Sequence, residues 1–274
     1  EATDSPIYIK NVTFENFAFD INNHSIYIGI FGIVKSSTTS PSEDVTFENV
    51  TVHLNKVSLI TINSNSDYFY FGGLIGSCFN SNLLDCNVIL SHRIDLYLTT
   101  ENFKNLTFGA ICGYARNMSM MACSANLIGS DIILNTPSDA LTFGLLCGRS
   151  WYNNASYLNF LNNIMILKDS SLKTNYTMTN YGYLIGVRWG NPIVTAKNNT
   201  VMSFVDGLYF GGDDKLSGSN INVEENNKIN NLSSASPSDI SIKDQIYGMK
   251  LETGETYWKK VYYVYYEGNT SNMD

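Results

Sequence analysis

Glu15, Glu48 and Asp85 each stand one residue before an Asn or Cys that recurs along the chain, at Asn16, Asn49 and Cys86. Stacked on one another, such acids could do chemistry. Two carboxylates roughly 5–10 Å apart suffice for glycoside hydrolysis, and three in a ladder would repel one another unless a cation sat among them. The series stops at the fourth copy, which has Ala122. Asp213 and Asp214 adjoin in an expected loop, while Asp131 and Asp139 are scattered over different repeats. These acids read as solvated surface charges. No catalytic residue is assigned, and the chain is read as a non-enzyme.

The thiols and imidazoles point the same way. Cys78, Cys86, Cys112, Cys123 and Cys147 form no Cys-x-x-Cys, and His24, His53 and His92 have no ligand-like spacing. No metal or cofactor site is expected. Cys112 and Cys147 take the slot that Ile75 and Ile185 hold in sister units, so they read as small buried apolar residues. Cys86 and Cys123 fall one repeat apart in the recurring column. A step of ~4.8 Å between neighbouring strands lies within the Cα range of a disulfide, which makes this pair the disulfide candidate.

Ten Asn-x-Ser/Thr sequons are present, against roughly six by chance at this composition. Column residues Asn49 and Asn198 head sequons, but an inward amide ladder cannot carry a glycan. The glycan candidates are Asn11, Asn105, Asn117, Asn154, Asn175, Asn231 and Asn269. With few charges and no initiator Met, the chain is expected to be a mature extracellular or cell-surface glycoprotein.

These residues must be positioned by a repeat. The Asn/Cys column runs Asn16, Asn49, Cys86, Cys123, Asn162 and Asn198, with gaps of 33, 37, 37, 39 and 36 residues. A second series shares the period: Phe71-Gly72-Gly73-Leu74-Ile75-Gly76, Phe108-Gly109-Ala110-Ile111-Cys112-Gly113, Phe143-Gly144-Leu145-Leu146-Cys147-Gly148 and Tyr181-Gly182-Tyr183-Leu184-Ile185-Gly186, with a degenerate first copy at Tyr27–Gly32. Two interleaved series mean a repeat array. In the unit 103–139, Phe108–Gly113 reads as a buried strand ending in a Gly corner. Tyr114–Ser119 reads as a turn, and Met120–Ile128 and Ile132–Leu134 as strands. Asn11–Phe19 aligns with Asp44–Val52, with apolar residues at every second position. Three short strands per unit favour an all-β, right-handed parallel β-helix of about five to six coils over a propeller, whose blades need four strands. Stacked Phe/Tyr, Gly and Asn columns should result.

The segments Gly73–Gly76, Ala110–Gly113, Leu145–Gly148 and Tyr183–Gly186 resemble the GLUG repeat motif, Gly-Leu-hydrophobic-Gly followed by an Asn/Cys-bearing strand. The resemblance covers roughly residues 25 to 212. It implies a β-helical surface or secreted adhesin-like protein.

The chain has 274 residues, 15% of them charged, and a net charge of −8. Its largest basic cluster is Lys259-Lys260, which is no surface for a phosphate backbone, so no nucleic-acid partner is expected. No apolar run approaches the ~20 residues of a membrane span. Three regions are expected: a β-helix over 1–212, a polar Asn/Ser-rich loop or tether over 213–244, and a strand or hairpin over 245–274 that caps the helix or exchanges with a neighbour. Val261, Tyr262, Tyr263, Val264, Tyr265 and Tyr266 are apolar or aromatic on both faces and are the self-assembly candidates, giving a homo-oligomer by end-to-end contact. The expected function is a non-catalytic structural subunit of a surface assembly or filament, or an adhesin. The alternative is a polysaccharide-active β-helix hydrolase or lyase.

Overall fold

The structure is a computed structural model that describes residues 7–21, 27–35, 45–61, 68–98, 105–135, 141–152, 156–168, 170–174, 180–190, 192–203, 221–225 and 228–231. Every regular element among them is a strand. The N-terminal coils hold β1 (Tyr8–Ile21), β2 (Tyr27–Ile28), β3 (Phe31–Lys35), β4 (Val45–Thr61), β5 (Tyr68–Gly72), β6 (Ile75–Leu84) and β7 (Asn87–Leu98). The middle coils hold β8 (Asn105–Gly109), β9 (Cys112–Met121), β10 (Ser124–Asn135), β11 (Leu141–Gly144), β12 (Cys147–Tyr152), β13 (Tyr157–Leu161), β14 (Ile164–Lys168) and β15 (Ser171–Thr174). The last are β16 (Asn180–Gly182), β17 (Ile185–Gly190), β18 (Ile193–Lys197), β19 (Thr200–Ser203), β20 (Ile221–Glu225) and β21 (Lys228–Asn231).

Each strand pairs in parallel with its counterpart one coil on, so the fold is the expected parallel β-solenoid. One wall stacks β2, β5, β8, β11 and β16, and a large sheet folds into the remaining walls. The stack makes about four turns, fewer than expected from the sequence. Two strands, β20 and β21, fall inside the stretch expected to be a tether and pair with β18 and β19. Their short alternation (Ile221, Val223; Ile229) is hard to see among Asn and Glu. The expected C-terminal strand or hairpin lies outside the described residues.

The aromatic and Gly columns form as expected. Phe71, Phe108 and Phe143 stack in the core with ring centroids 5.2 and 5.1 Å apart, where aromatic stacking adds to the burial of apolar area. Glycine is needed where the turn folds back on itself. A Cβ on Gly113 would lie 2.6 Å from Gly76 O and 2.8 Å from Phe71 O. The first copy is one residue short in this turn, so Tyr27 pairs with Tyr70 and Ile28 with Phe71. Tyr114–Ser119, expected as a turn, is strand: Ala115 and Met118 point into the core and the polar residues face out.

The corner column keeps Asn49, Asn162 and Asn198 and is corrected in three coils, where Asn11, Asp85 and Ala122 replace Asn16, Cys86 and Cys123. Asn11, Asn49, Asp85, Ala122, Asn162 and Asn198 all have φ between 53° and 56°, a left-handed conformation that Asn and Asp tolerate best. Register places Asn11, not Asn16, beside Asn49, because Lys10 pairs with Glu48 and Val12 with Val50. The Val-Thr-Phe-Glu-Asn match that aligned Asn16 with Asn49 is coincidental. The corner needs a left-handed residue, and Asn11 supplies it. The next position turns inward and holds Val50, Cys86, Cys123, Asn163 and Asn199.

Candidate functional site

The corrected register dissolves the acid ladder. Glu48 pairs across to Lys10, with which it forms a half-exposed ion pair at 2.5 Å. Asp85 stands in the corner column beside Asn49, and Glu15 lies further along β1 on the next wall. The three acids therefore occupy three columns, and the cation site they would have made does not form. Asp139, Asp213 and Asp214 lie outside the described residues.

Polar side chains instead form two ladders. On the outer side of the corner, Asn49 donates to Asn11 at 2.5 Å and Asn198 to Asn162 at 3.1 Å. A parallel outer pair has Asn117 donating to Asn80 at 2.8 Å. On the inner side, Asn163 Nδ2 donates to Asn199 Oδ1 at 2.9 Å and to Met120 O at 3.1 Å, while Cys123 N–H donates to Asn163 Oδ1 at 2.9 Å. Cys86 and Cys123 occupy the same slot and point their thiols at Phe47 O and Leu83 O. The expected amide bond between coils therefore forms at Asn162 and Asn198, and a second, fully buried one forms one residue further on at Asn163 and Asn199.

The sequon residues differ in what they can offer. Asn11 is exposed and serves its ladder as acceptor. Asn105 begins β8 and accepts from the Thr107 hydroxyl at 2.9 Å. Asn117 has its amide nitrogen committed to Asn80. Asn231 ends β21. Asn154, Asn175 and Asn269 lie outside the described residues, as do the self-assembly candidates 261–266.

All five cysteines are buried free thiols. Cys112 and Cys147 stand in register between Ile75 and Ile185, and Cys112 Sγ lies 3.5 Å from Cys78 Sγ. The disulfide candidates Cys86 and Cys123 are neighbours on adjacent coils, each with a free thiol. Ser91 gathers both histidines: His53 Nε2 and His92 Nδ1 each lie 3.1 Å from its hydroxyl oxygen, and that hydroxyl donates to Asn55 Oδ1 at 3.1 Å. With its one proton on Asn55, Ser91 is an acceptor for the imidazoles.

One constellation escaped the sequence reading. Tyr68 and Tyr70 alternate with the core residues Phe69 and Phe71 and so face the other way. There they meet Tyr27, Phe79, Tyr114 and Arg149, outside the main core. Tyr27 and Tyr70 stack at 5.3 Å, Tyr70 lies 5.2 Å from Tyr114, and the Arg149 guanidinium sits 4.9 Å over the Tyr68 ring. The sequence signal was the two-sided aromatic run Tyr68–Phe71. Half-buried Tyr27, Tyr68, Phe79 and Arg116 form its mouth. This edge can offer ring surface and N–H or O–H donors to a hydroxyl-rich or anionic partner.

Burial raises the Tyr70 phenol well above its ordinary 10 and pushes Tyr114 up to about 12. Burial likewise raises Cys112 and Cys123 above their ordinary 9, and the contact with Cys112, together with burial, raises Cys78. Above pH 9 the unfolded chain therefore loses protons that the fold retains, and stability must fall as pH rises. Urea midpoints should hold steady to about pH 8 and then decline through pH 12. Tyr114→Phe should flatten the decline between pH 10 and 12.

Among the described residues, no helix is long and apolar enough to cross a membrane. The chain matches no family model, and no curated protein or solved structure is significantly similar to it.

Proposed function

We propose that this chain belongs to a non-catalytic, glycosylated extracellular surface protein, in which it serves as a structural subunit that assembles end to end. The observation that carries this reading is the N-terminal face of the solenoid. Strands β1, β2 and β3 pair on one side only, with β4, β5 and β6. Among the described residues no strand pairs with their other edge, and an edge of that kind is a template for another parallel strand. The large exposed apolar residues among the described ones are Ile7 at 55%, Tyr8 at 58% and Ile33 at 58%, all in this first coil. Because the described strands all pair in parallel, the stack is directional, so a copy added at one edge presents the same edge again. A head-to-tail contact then repeats without closing. The exposed sequon residue Asn11 and the resemblance to GLUG repeats support the surface location. The aromatic–guanidinium mouth favours an adhesin role within the same assembly.

The test is sedimentation and electron microscopy of protein from a secretory host, with a glycopeptide map. Assembly should grow with concentration and be lost in Tyr8→Lys/Ile33→Lys. A strict monomer at high concentration overturns the end-to-end reading. An unglycosylated product overturns the extracellular one.

A further inference from the structure

Among the described residues, the outer amide bonds between coils run in one direction. Asn49 Nδ2 donates to Asn11 Oδ1 at 2.5 Å, Asn117 Nδ2 to Asn80 Oδ1 at 2.8 Å and Asn198 Nδ2 to Asn162 Oδ1 at 3.1 Å. In each pair the later coil gives its nitrogen to the oxygen of the earlier one. The oxygen and nitrogen of an amide sit on separate branches of one planar group, so a residue whose oxygen faces the following coil turns its nitrogen away from that coil. Asn11 is such a residue. It stands in β1, and no described strand pairs with the other edge of β1. With its oxygen held by Asn49, its Nδ2 faces out of this end of the stack, the head of the solenoid. Asn11 is exposed, and its φ of 56° sets it at the corner.

We propose that Asn11 is an N-glycan acceptor whose glycan caps the head of the solenoid, so that a chain carrying it ends an assembly and a chain without it admits the next copy. This rests on the reading of the chain as a glycosylated, end-to-end surface subunit. Two uses of one nitrogen exclude each other. Asn11-Val12-Thr13 is a sequon, and Thr13 is exposed. In the transfer, Asn11 Nδ2 attacks C1 of an oligosaccharyl pyrophosphate donor. The new N–C1 bond replaces the C1–O bond to the departing pyrophosphate, and the nitrogen loses one of its protons. The same nitrogen faces the copy that would be added at the head. Within the stack, amide groups on neighbouring coils approach to between 2.5 and 3.1 Å. A gap of that size takes a hydrogen bond and excludes a sugar ring, which is bulky. Other sequons on described strands are placed differently. Asn49, Asn117 and Asn198 give their Nδ2 to the coil before them. Asn105 accepts from the hydroxyl of its own sequon residue Thr107 at 2.9 Å, and its strand β8 lies between β5 and β11, so a glycan there stands on the side of the stack.

The test compares the full chain from a secretory host with two variants. Thr13→Ala removes the sequon and keeps the Asn11 amide and its bond to Asn49. Asn105→Gln removes a glycan from the side wall. Monomers and assemblies are separated by sedimentation, and each fraction is mapped by glycopeptide mass spectrometry. The glycan on Asn11 should be enriched in monomers and depleted in assemblies. Thr13→Ala should assemble at a concentration lower by about tenfold or more, as removal of a clash at a contact requires. Asn105→Gln should assemble as the parent does. Equal occupancy of Asn11 in both fractions, or a Thr13→Ala protein that assembles no better than the parent, overturns the cap and leaves the end-to-end reading standing. An empty Asn11 beside occupied sequons elsewhere overturns the acceptor. If Asn105→Gln promotes assembly as much as Thr13→Ala does, glycan load in general sets the limit and the cap is overturned. A Thr13→Ala protein that stays monomeric at high concentration overturns the end-to-end reading and the cap together.

Discussion

Gly144→Ala should yield little or no folded protein. A Cβ at this position would fall within the van der Waals envelope of the Cys147 carbonyl in its own turn and 2.7 Å from Gly186 N on the next coil. Both obstacles are backbone, and neither can swing aside as a side-chain tip could. The same backbone is hydrogen-bonded between coils: Leu145 N–H donates to Gly182 O and Leu146 N–H to Tyr183 O, each at 3.0 Å. Making room therefore means separating two coils, at a cost above about 4 kcal/mol, a large part of a domain's whole stability. Gly109→Ala should behave alike, its Cβ lying 2.6 Å from Gly148 N. Gly129→Ala is the control. Its φ of 63° disfavours a side chain, but no atom lies within 4 Å, so it should cost only about 1 kcal/mol. Soluble yield and urea midpoints read all three. A Gly144→Ala protein with the parent's midpoint would refute the steric account.

The same contacts explain which parts of the fold were legible in the sequence. The aromatic–Gly series could be read because close backbone approach admits only Gly, so Gly72, Gly109 and Gly144 keep their place. At Cys86 and Cys123 the corner was read one residue off because two adjacent columns both accept Asn in other coils. At Asn162-Asn163 and Asn198-Asn199 the outer member takes the left-handed bend and the inner one builds the buried ladder. In the coils with Cys86 and Cys123 only the inner member was noticed, since Asp85 and Ala122 looked unlike Asn. The acid ladder was a product of that slip. The double burial of β14 left its mark in Ile164–Leu167, four buried apolar residues in succession. The tyrosine–arginine constellation was hidden because Ser77, Tyr114, Arg149 and Val187 share one column with no shared chemistry.

Asn163→Ala should destabilise the solenoid by about 2–4 kcal/mol, with most of the loss coming from hydrogen bonds and a minor part from the cavity. Asn163 is fully buried, and its amide ties three coils together. It accepts from Cys123 N–H on the preceding coil, donates to Met120 O there, and donates to Asn199 Oδ1 on the next. Truncation leaves the Cys123 N–H buried without that acceptor, and such a group carries its full desolvation cost. The solenoid itself supplies the milder substitution. In earlier coils Cys86 and Cys123 fill this slot, and their thiols reach Phe47 O at 3.5 Å and Leu83 O at 3.4 Å. These are the carbonyls equivalent to Met120 O one and two coils back. A thiol is a weak donor, but it fits and keeps the slot filled. Asn163→Cys should therefore cost clearly less than Asn163→Ala. Asn162→Ala, one residue away, should cost least of the three, because it removes a single side-chain bond, to Asn198, and adds only a left-handed Ala of the kind Ala122 already is. Equilibrium unfolding of the three variants gives the order directly. If Asn162→Ala proves the most damaging, the outer column carries the ladder and the assignment of the inner one is wrong.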